Sequence, residues 1–494
     1  MGDSKEMDNI DEKSKLNTEN DSAKIKFQSS KNGEAKIDLP DSGSVGYQCG
    51  LTKEDLMKYA NDPFWIAMRR ILFVLFWLLW IAMLVGAVAI IITTPSCAAP
   101  KEPEWYESSP MYELRVDEFY SKGDNQKPDL SGIKEKLPYF DEISVSAIVI
   151  DGLFNKDNPK DIEPSLGSFI EFKEISERVK LLIKIRVSQI DLSSEQKQMQ
   201  FVDTLRFWLD KNAAGFVFDE IELLPTNLDL KKLTEQWHGV ISNFSSENFP
   251  RVSILSSYKP LEENEFCRYA HMILNYKPTE LTKGFTPQQL VDIFEPTVEE
   301  NRTTSCRFNL VLSNGDIQPL LNRFGSEERD RLILFTLLAD ATPFIYFGEE
   351  YANSDSDMPP TLTRNHGHTP LPMKWNIIDA MKPKSNNFYN VFVKGAKLRK
   401  SEYAIRMGDT SLKIIGENVV AMSRIKKGNP GFAVVTNFGN SSQVDLSLLG
   451  NHIPETGHIE IVSSISEKPR GKVQLKELEI APLETLVVQF VPIL

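Results

Sequence analysis

Cysteine is scarce in this chain, four in 494 residues, and no two of the four form a CxxC pair. That count and spacing exclude a disulfide-built scaffold and a thiolate zinc site. A basic excess is also missing: 56 Lys and Arg stand against 69 Asp and Glu, a formal net charge of −13. Binding to a phosphate backbone needs the opposite sign, so nucleic acid is excluded as a partner. The six histidines are scattered, no metal is expected, and no motif points to a cofactor. What is present is 41% hydrophobic and 25% charged residues, enough apolar material for more than one packed core.

One segment departs from that average. ILFVLFWLLWIAMLVGAVAIII, Ile71 to Ile92, carries no charge and matches the ~20 residues a helix needs to cross a hydrocarbon layer of ~30 Å. About 70 polar residues precede it, which a cleaved secretory signal would not allow. It is therefore expected to be a retained single-pass anchor in membrane lipid. Lys53, Lys58, Arg69 and Arg70 lie just before it, whereas Lys101 after it sits among Glu102, Glu104 and Glu107. The positive-inside rule then places the N-terminus in the cytosol and the C-terminus outside, a type II arrangement.

Residues 1–50 are rich in Lys, Asp, Glu, Ser and Asn and read as a disordered cytosolic tail. Residues 51–70 form a juxtamembrane segment in which LTKEDLMKYAND offers Thr52 as N-cap for a short helix stopped by Pro63. The span covers 71–92 and an extracellular stalk 93–104. From 105 to 404, β-branched runs alternate with amphipathic stretches: VSAIVI, LLIKIRV, GFVF, VSIL, HMILN, SCRFNLVL and TPFIYF are separated by segments such as LKKLTEQWHGVISNF and TPQQLVDIFEPTVEE. Repeated βα units over about 290 residues predict a closed parallel (β/α)8 TIM barrel, with a doubly wound open sheet as the alternative. After residue 405 short alternating runs predict an antiparallel β-sandwich to 494.

Several motifs in order along this region resemble the α-amylase clan of glycoside hydrolases: WYESSPMYEL from Trp105, IEPSLGSFIEF from Ile162, GFVFD ending at Asp219, ATPFIYFGEE ending at Glu350, and PMKWN from Pro372. That family's chemistry uses a carboxylate nucleophile and a second carboxyl as general acid. Asp219 stands at the nucleophile position, but Val217 replaces the Arg two residues before it. Ser256 and Ser257 stand where the acid Glu is expected. Asn309, Leu310 and Val311 replace the NHD element, and Lys184, Ser188 and Gln189 occupy the DxxxNH positions. Only a tight loop follows Val187, so the family's inserted, calcium-binding subdomain is absent. The resemblance thus implies a barrel without catalytic residues, in which Asp219 is a relic.

A cytosolic N-terminus, one span and an emptied amylase-like ectodomain resemble the heavy-chain subunits of the heteromeric amino acid transporters, of the cell-surface antigen type. The resemblance extends through LTKEDLMKYA, the span and TTPSC. It implies a non-catalytic subunit that pairs with a multi-helix light chain and stabilises it at the plasma membrane. It also implies an interchain disulfide through Cys97. On the residues alone, Cys97 is either such a link or a free or lipidated thiol, and Cys267 and Cys306 are either paired or buried thiols. The outer sequons are Asn243, Asn301 and Asn440, expected to carry N-glycans. Ala82 and Gly86 have the small-xxx-small spacing that lets another membrane helix approach. The competing function is a membrane-anchored glycosidase or sugar-binding ectodomain using Asp219.

Overall fold

The computed structural model describes residues 53–94, 102–123, 127–155, 158–259, 266–303, 306–315, 317, 319–352 and 372–493. The chain divides into two compact units, 1–100 and 101–494. The first contains α1 (Lys53–Ala60) and α2 (Pro63–Thr93). Thr52 lies outside the described residues. Pro63 does not merely stop α1: it opens α2 at the first helical position, where its missing N–H costs nothing, and Asp62 caps the turn by accepting from Phe64 N at 3.0 Å. The apolar run 71–92 is therefore the main part of a longer helix. No residue of α2 is buried and its most apolar 18-residue stretch has a mean hydropathy of 2.8, so from Ile71 to Ile92 every face is apolar and open. Arg69 donates to the carbonyls of Tyr59 and Ala60 at 3.3 and 3.1 Å, satisfying the end of α1.

The second unit begins with eight strands: β1 (Met111–Arg115), β2 (Ala147–Asp151), β3 (Lys180–Arg186), β4 (Gly215–Asp219), β5 (Val252–Ser256), β6 (Met272–Asn275), β7 (Arg307–Val311) and β8 (Pro343–Tyr346). Each pairs in parallel with the next and β8 closes on β1. Strand alternation sorts two cores. Met111, Val149, Leu182, Val217, Ile254 and Phe344 fill the barrel, while Tyr112, Ile148, Ile183, Phe216, Leu255 and Ile345 face the helices. β4 starts on Gly215 for a steric reason: its φ is +152° and a Cβ there would collide with the Val252 carbonyl oxygen. After β3 the chain makes one 3-10 turn (Val187–Gln189) and enters the helix Glu195–Asp210 under a Ser194 cap, with no space for a subdomain.

The barrel's last helix, Tyr403–Met407, leads into the antiparallel strands β9 (Asp409–Ile415), β10 (Val419–Ile425), β11 (Gly431–Asn437), β12 (Ser442–Val444), β13 (Thr456–Val462), β14 (Lys472–Gln474), β15 (Leu478–Ile480) and β16 (Thr485–Phe490). Six form one sheet in the order β14-β13-β16-β11-β10-β9, and β12 pairs with β15. The sandwich is lopsided, because Val435, Leu446, Leu478 and Val488 form a core of their own whereas Val434, Met422 and Val487 on the other face join the barrel's outer core. Polar ties reinforce the contact: Arg331 donates to Thr436 Oγ1 at 2.7 Å and Asn437 O at 3.0 Å, and Asp330 accepts from Ser464 Oγ at 2.7 Å. Cys267 and Cys306 form a disulfide, Cα atoms 5.0 Å apart.

Candidate functional site

In a parallel barrel, chemistry belongs at the carboxyl ends of the strands. Here β1, β3, β4 and β5 direct Glu113, Lys184, Asp219 and Ser256 inward at that end. Lys184 Nζ lies 2.8 Å from Glu113 Oε1 and 2.9 Å from Asp219 Oδ2. Ser256 Oγ donates to Asp219 Oδ1 and lies 3.0 Å from the Tyr276 hydroxyl, whose ring stacks on Tyr258 at 4.2 Å. Asp219 has no exposed surface and Lys184 only 3%. Burial opposes the Lys184 ammonium, but Asp219 and Glu113 outweigh it and hold its pKa well above the ordinary lysine range. One cation thus sits between two carboxylates in a buried pocket.

Above this trio lies a second charged layer. Arg186 reaches Asp151 at 3.2 Å and Glu220 at 3.5 Å, and Arg115 reaches Glu118 at 3.1 Å and Asp151 at 3.7 Å. Burial pushes the Asp151 carboxyl up, yet Lys184, Arg186 and Arg115 together hold it below the usual range. Arg115, Asp151, Arg186 and Lys184 border a cavity of about 740 Å³ whose walls also include Asp117, Lys127 and Glu163. Glycoside hydrolysis by paired carboxyls needs a reachable nucleophile and a proton donor across the scissile bond. Asp219 is fully buried against Lys184, β5 ends at Ser256 and is followed by Ser257, and a second interior carboxylate, Glu113, is bound to the same ammonium. The arrangement fastens β1, β3 and β4 together.

Next to β8, Glu349 accepts from Ser313 Oγ and from Leu320 N at 3.1 Å. Burial raises its pKa to about 7 against those bonds and Arg323. A carboxyl raised on folding gives stability that is full below its unfolded pKa and lost as pH rises through the folded value. From about pH 4.5 to 7, wild type should therefore lose up to about 3 kcal/mol that Glu349→Gln does not lose. Melting curves of the two proteins across that range should converge at the acid end, with the variant more stable at pH 8. Parallel curves would show that Glu349 does not titrate in this window.

The other residues singled out in the sequence are not gathered at this mouth. Asn243 is exposed in the last turn of the helix Leu230–Phe244, Asn301 lies in the helix Pro287–Thr303, and Asn440 is exposed between β11 and β12. Ala82 and Gly86 lie on α2, and a Cβ at Gly86 would meet nothing within 4 Å. Cys97 lies outside the described residues. Sequence reasoning registered Lys184 only as a departure from the DxxxNH pattern and passed over Glu113 inside WYESSPMYEL. The signal that could have found the pair was a lysine in the middle of the apolar strand LLIKIRV, which needs a buried counter-ion.

The sequence profile of solute carrier family 3 member 2 N-terminus matches residues 34–112. The amino acid transporter heavy chain SLC3A2 of Oryctolagus cuniculus is 26% identical over 506 residues, covering 93% of this chain and 92% of that protein. Its Mus musculus counterpart is 23% identical over 93% of both chains. Among solved structures, the Bacillus licheniformis trehalose-6-phosphate hydrolase superposes with a TM-score of 0.62 at 14% identity, over 79% of this chain and 100% of that one. That likeness establishes the amylase-type barrel as the fold. Over nearly its whole length, then, this chain is similar to the amino acid transporter heavy chains, and its second unit has the amylase-type barrel fold.

Proposed function

We propose that this chain is the non-catalytic ancillary subunit of an amino acid transporter, associating with a multi-helix light chain, bringing it to the plasma membrane and stabilising it there. The observation that carries the proposal is α2 itself. Among the described residues it is the one helix long and apolar enough to span a membrane, apolar on every face from Ile71 to Ile92 and with none of its residues buried, joined to a chain that is similar to SLC3A2 over 93% of its length. A lone span without an embedded charge cannot line a solute pathway, so a transport role requires a partner that does. Arg69 and Arg70 at the start of the span support a cytosolic N-terminus. The Cys267–Cys306 disulfide supports Cys97 as the outer cysteine left to bond the partner.

Purification of the full chain from its native membrane in mild detergent should recover a polytopic membrane protein, and amino acid uptake should fall when the chain is depleted. Recovery of no such protein would defeat the proposal. The sealed Asp219 supports the absence of catalysis: neither wild type nor Asp219→Asn should hydrolyse an α-glucoside above background. Turnover by wild type that disappears in the variant would establish the membrane-anchored glycosidase instead.

A further inference from the structure

At the amino ends of the barrel strands, opposite the charged mouth, two histidines share one serine. Ser253, the second residue of β5, is 1% exposed. Its Oγ lies 2.9 Å from His238 Nδ1 and 2.9 Å from His271 Nδ1, and its backbone N–H donates to that same His271 Nδ1 at 3.1 Å. His271 immediately precedes β6, and its own N–H donates to Ser253 O at 3.0 Å. His238 comes from the helix Leu230–Phe244, and its Nε2 lies 3.3 Å from Ser242 Oγ. The two imidazole centroids are 4.7 Å apart.

The backbone bond fixes where the protons are. An amide N–H donates only to a bare ring nitrogen, so His271 Nδ1 carries no proton and the neutral ring keeps its proton on Nε2. A second proton on this ring has to go to Nδ1, where it faces the Ser253 N–H and leaves a β5 donor without an acceptor. His238 differs, because both its nitrogens face hydroxyls that accept as well as donate. Charging His238 breaks no bond but sets a cation beside the His271 ring. No carboxylate offsets either charge: burial lowers the pKa of both rings, and burial together with His238 takes His271 down to about 4. The charged groups on the surrounding elements are engaged elsewhere or open to solvent. Arg307 bonds Glu107 at 3.0 Å and Asp340 at 3.3 Å, Arg251 donates to the Ala213 carbonyl, and Glu235, one turn before His238, is exposed.

The short helix Trp105–Ser108, with which the chain enters the barrel, rests on this cluster. The Tyr106 ring meets His271 edge-on at 5.8 Å, Trp105 Nε1 donates to Pro250 O at 2.8 Å just ahead of β5, and Thr342 Oγ1 donates to Tyr106 O at 3.0 Å. We propose that His271 is the trigger of an acid-sensitive joint: proton uptake at its Nδ1 releases the start of β5 and, with it, the entry helix Trp105–Ser108 from the barrel floor. The device belongs to the chain alone and needs no partner. Its sign follows from linkage. A histidine whose pKa is lowered on folding gives stability that is full above its unfolded value of about 6.5 and is lost as pH falls toward the folded value. The joint is closed at neutral pH and opens in the range of an acidified compartment.

Hydrogen exchange on the purified full chain, corrected for the intrinsic pH dependence of exchange, reads the joint segment by segment. One site titrating near 6.5 when open and near 4 when closed shifts the opening equilibrium by roughly 20-fold between pH 7 and pH 5. Protection of Ser253 and of Trp105–Ser108 should fall by that factor while β7 keeps its protection. His271→Asn places a non-titrating amide oxygen near the position of Nδ1 and should remove the pH response while the joint stays closed. His238→Gln should weaken the response without abolishing it, since it removes only the neighbouring ring. An unchanged pH response in His271→Asn overturns the proposal. A response abolished by His238→Gln but kept by His271→Asn makes His238 the sensor, and the proposal falls. In wild type alone, loss of protection on acidification that is uniform across the barrel overturns it as well, so the outcome does not hang on whether a variant folds.

Discussion

Lys184→Met should destabilise the barrel by about 3–5 kcal/mol, the cost of breaking a buried ion pair by removing one partner. The side chains are close in volume, so the change leaves little cavity and its effect is electrostatic. Without the ammonium, Glu113 and Asp219 face each other in a pocket where Asp219 has no exposed surface at all. Ser256 still donates to Asp219, but Glu113 loses its 2.8 Å contact to the ammonium. Both carboxyls must then take up protons or draw in water, so the loss should shrink on acidification. The triple variant Lys184→Met, Glu113→Gln, Asp219→Asn removes every charge at once and should recover most of the stability, because an uncharged cluster carries no uncompensated ion. Denaturant unfolding of the purified full chain, followed by fluorescence of the buried Trp208 and Trp237, measures both variants. A cost below 1 kcal/mol for Lys184→Met would show that the trio is not what holds β1, β3 and β4 together.

The same trio marks how far the sequence could be read. Elements whose signal is local were legible: LKKLTEQWHGVISNF is the helix Leu230–Phe244 residue for residue, and GFVFD is β4. Closure of the barrel followed from repetition of such units. The filled site did not, because Glu113 and Lys184 are 71 residues apart in sequence and meet only through the parallel register of β1, β2 and β3. The pairing of Cys267 with Cys306 was open for the same reason. At Pro63 the local signal itself was ambiguous. Proline both ends one helix and opens the next, and the capping bond from Asp62 decides which role it takes here. The departures from the amylase pattern, by contrast, were legible position by position, since Ser256, Ser257 and Val217 could be compared with a known chemical requirement from the sequence itself.

Cys97→Ser should abolish the reductant-sensitive complex completely while leaving part of the partner bound. Of the four cysteines, Cys267 and Cys306 are joined to each other and Cys49 precedes the span, on the side proposed to be reducing. α2 ends at Thr93, four residues before Cys97, so an extended stalk carries that cysteine at most about 14 Å beyond the helix. A disulfide requires Cα atoms within about 7 Å. On the proposed subunit reading, the cysteine that Cys97 bonds belongs to a short outer loop of a membrane-embedded neighbour. The link raises the effective concentration of the two proteins without adding a packing contact, so loss of the bond weakens association by the tether's share and leaves the contacts of α2 intact. Without reductant, wild type should run as the combined species and collapse to the glycosylated single chain when reductant is added. The variant should run as the single chain under both conditions, with reduced partner at the cell surface. A combined species that survives Cys97→Ser and disappears in Cys267→Ser or Cys306→Ser would place the link in the barrel, and would require the internal disulfide to exchange in the complex.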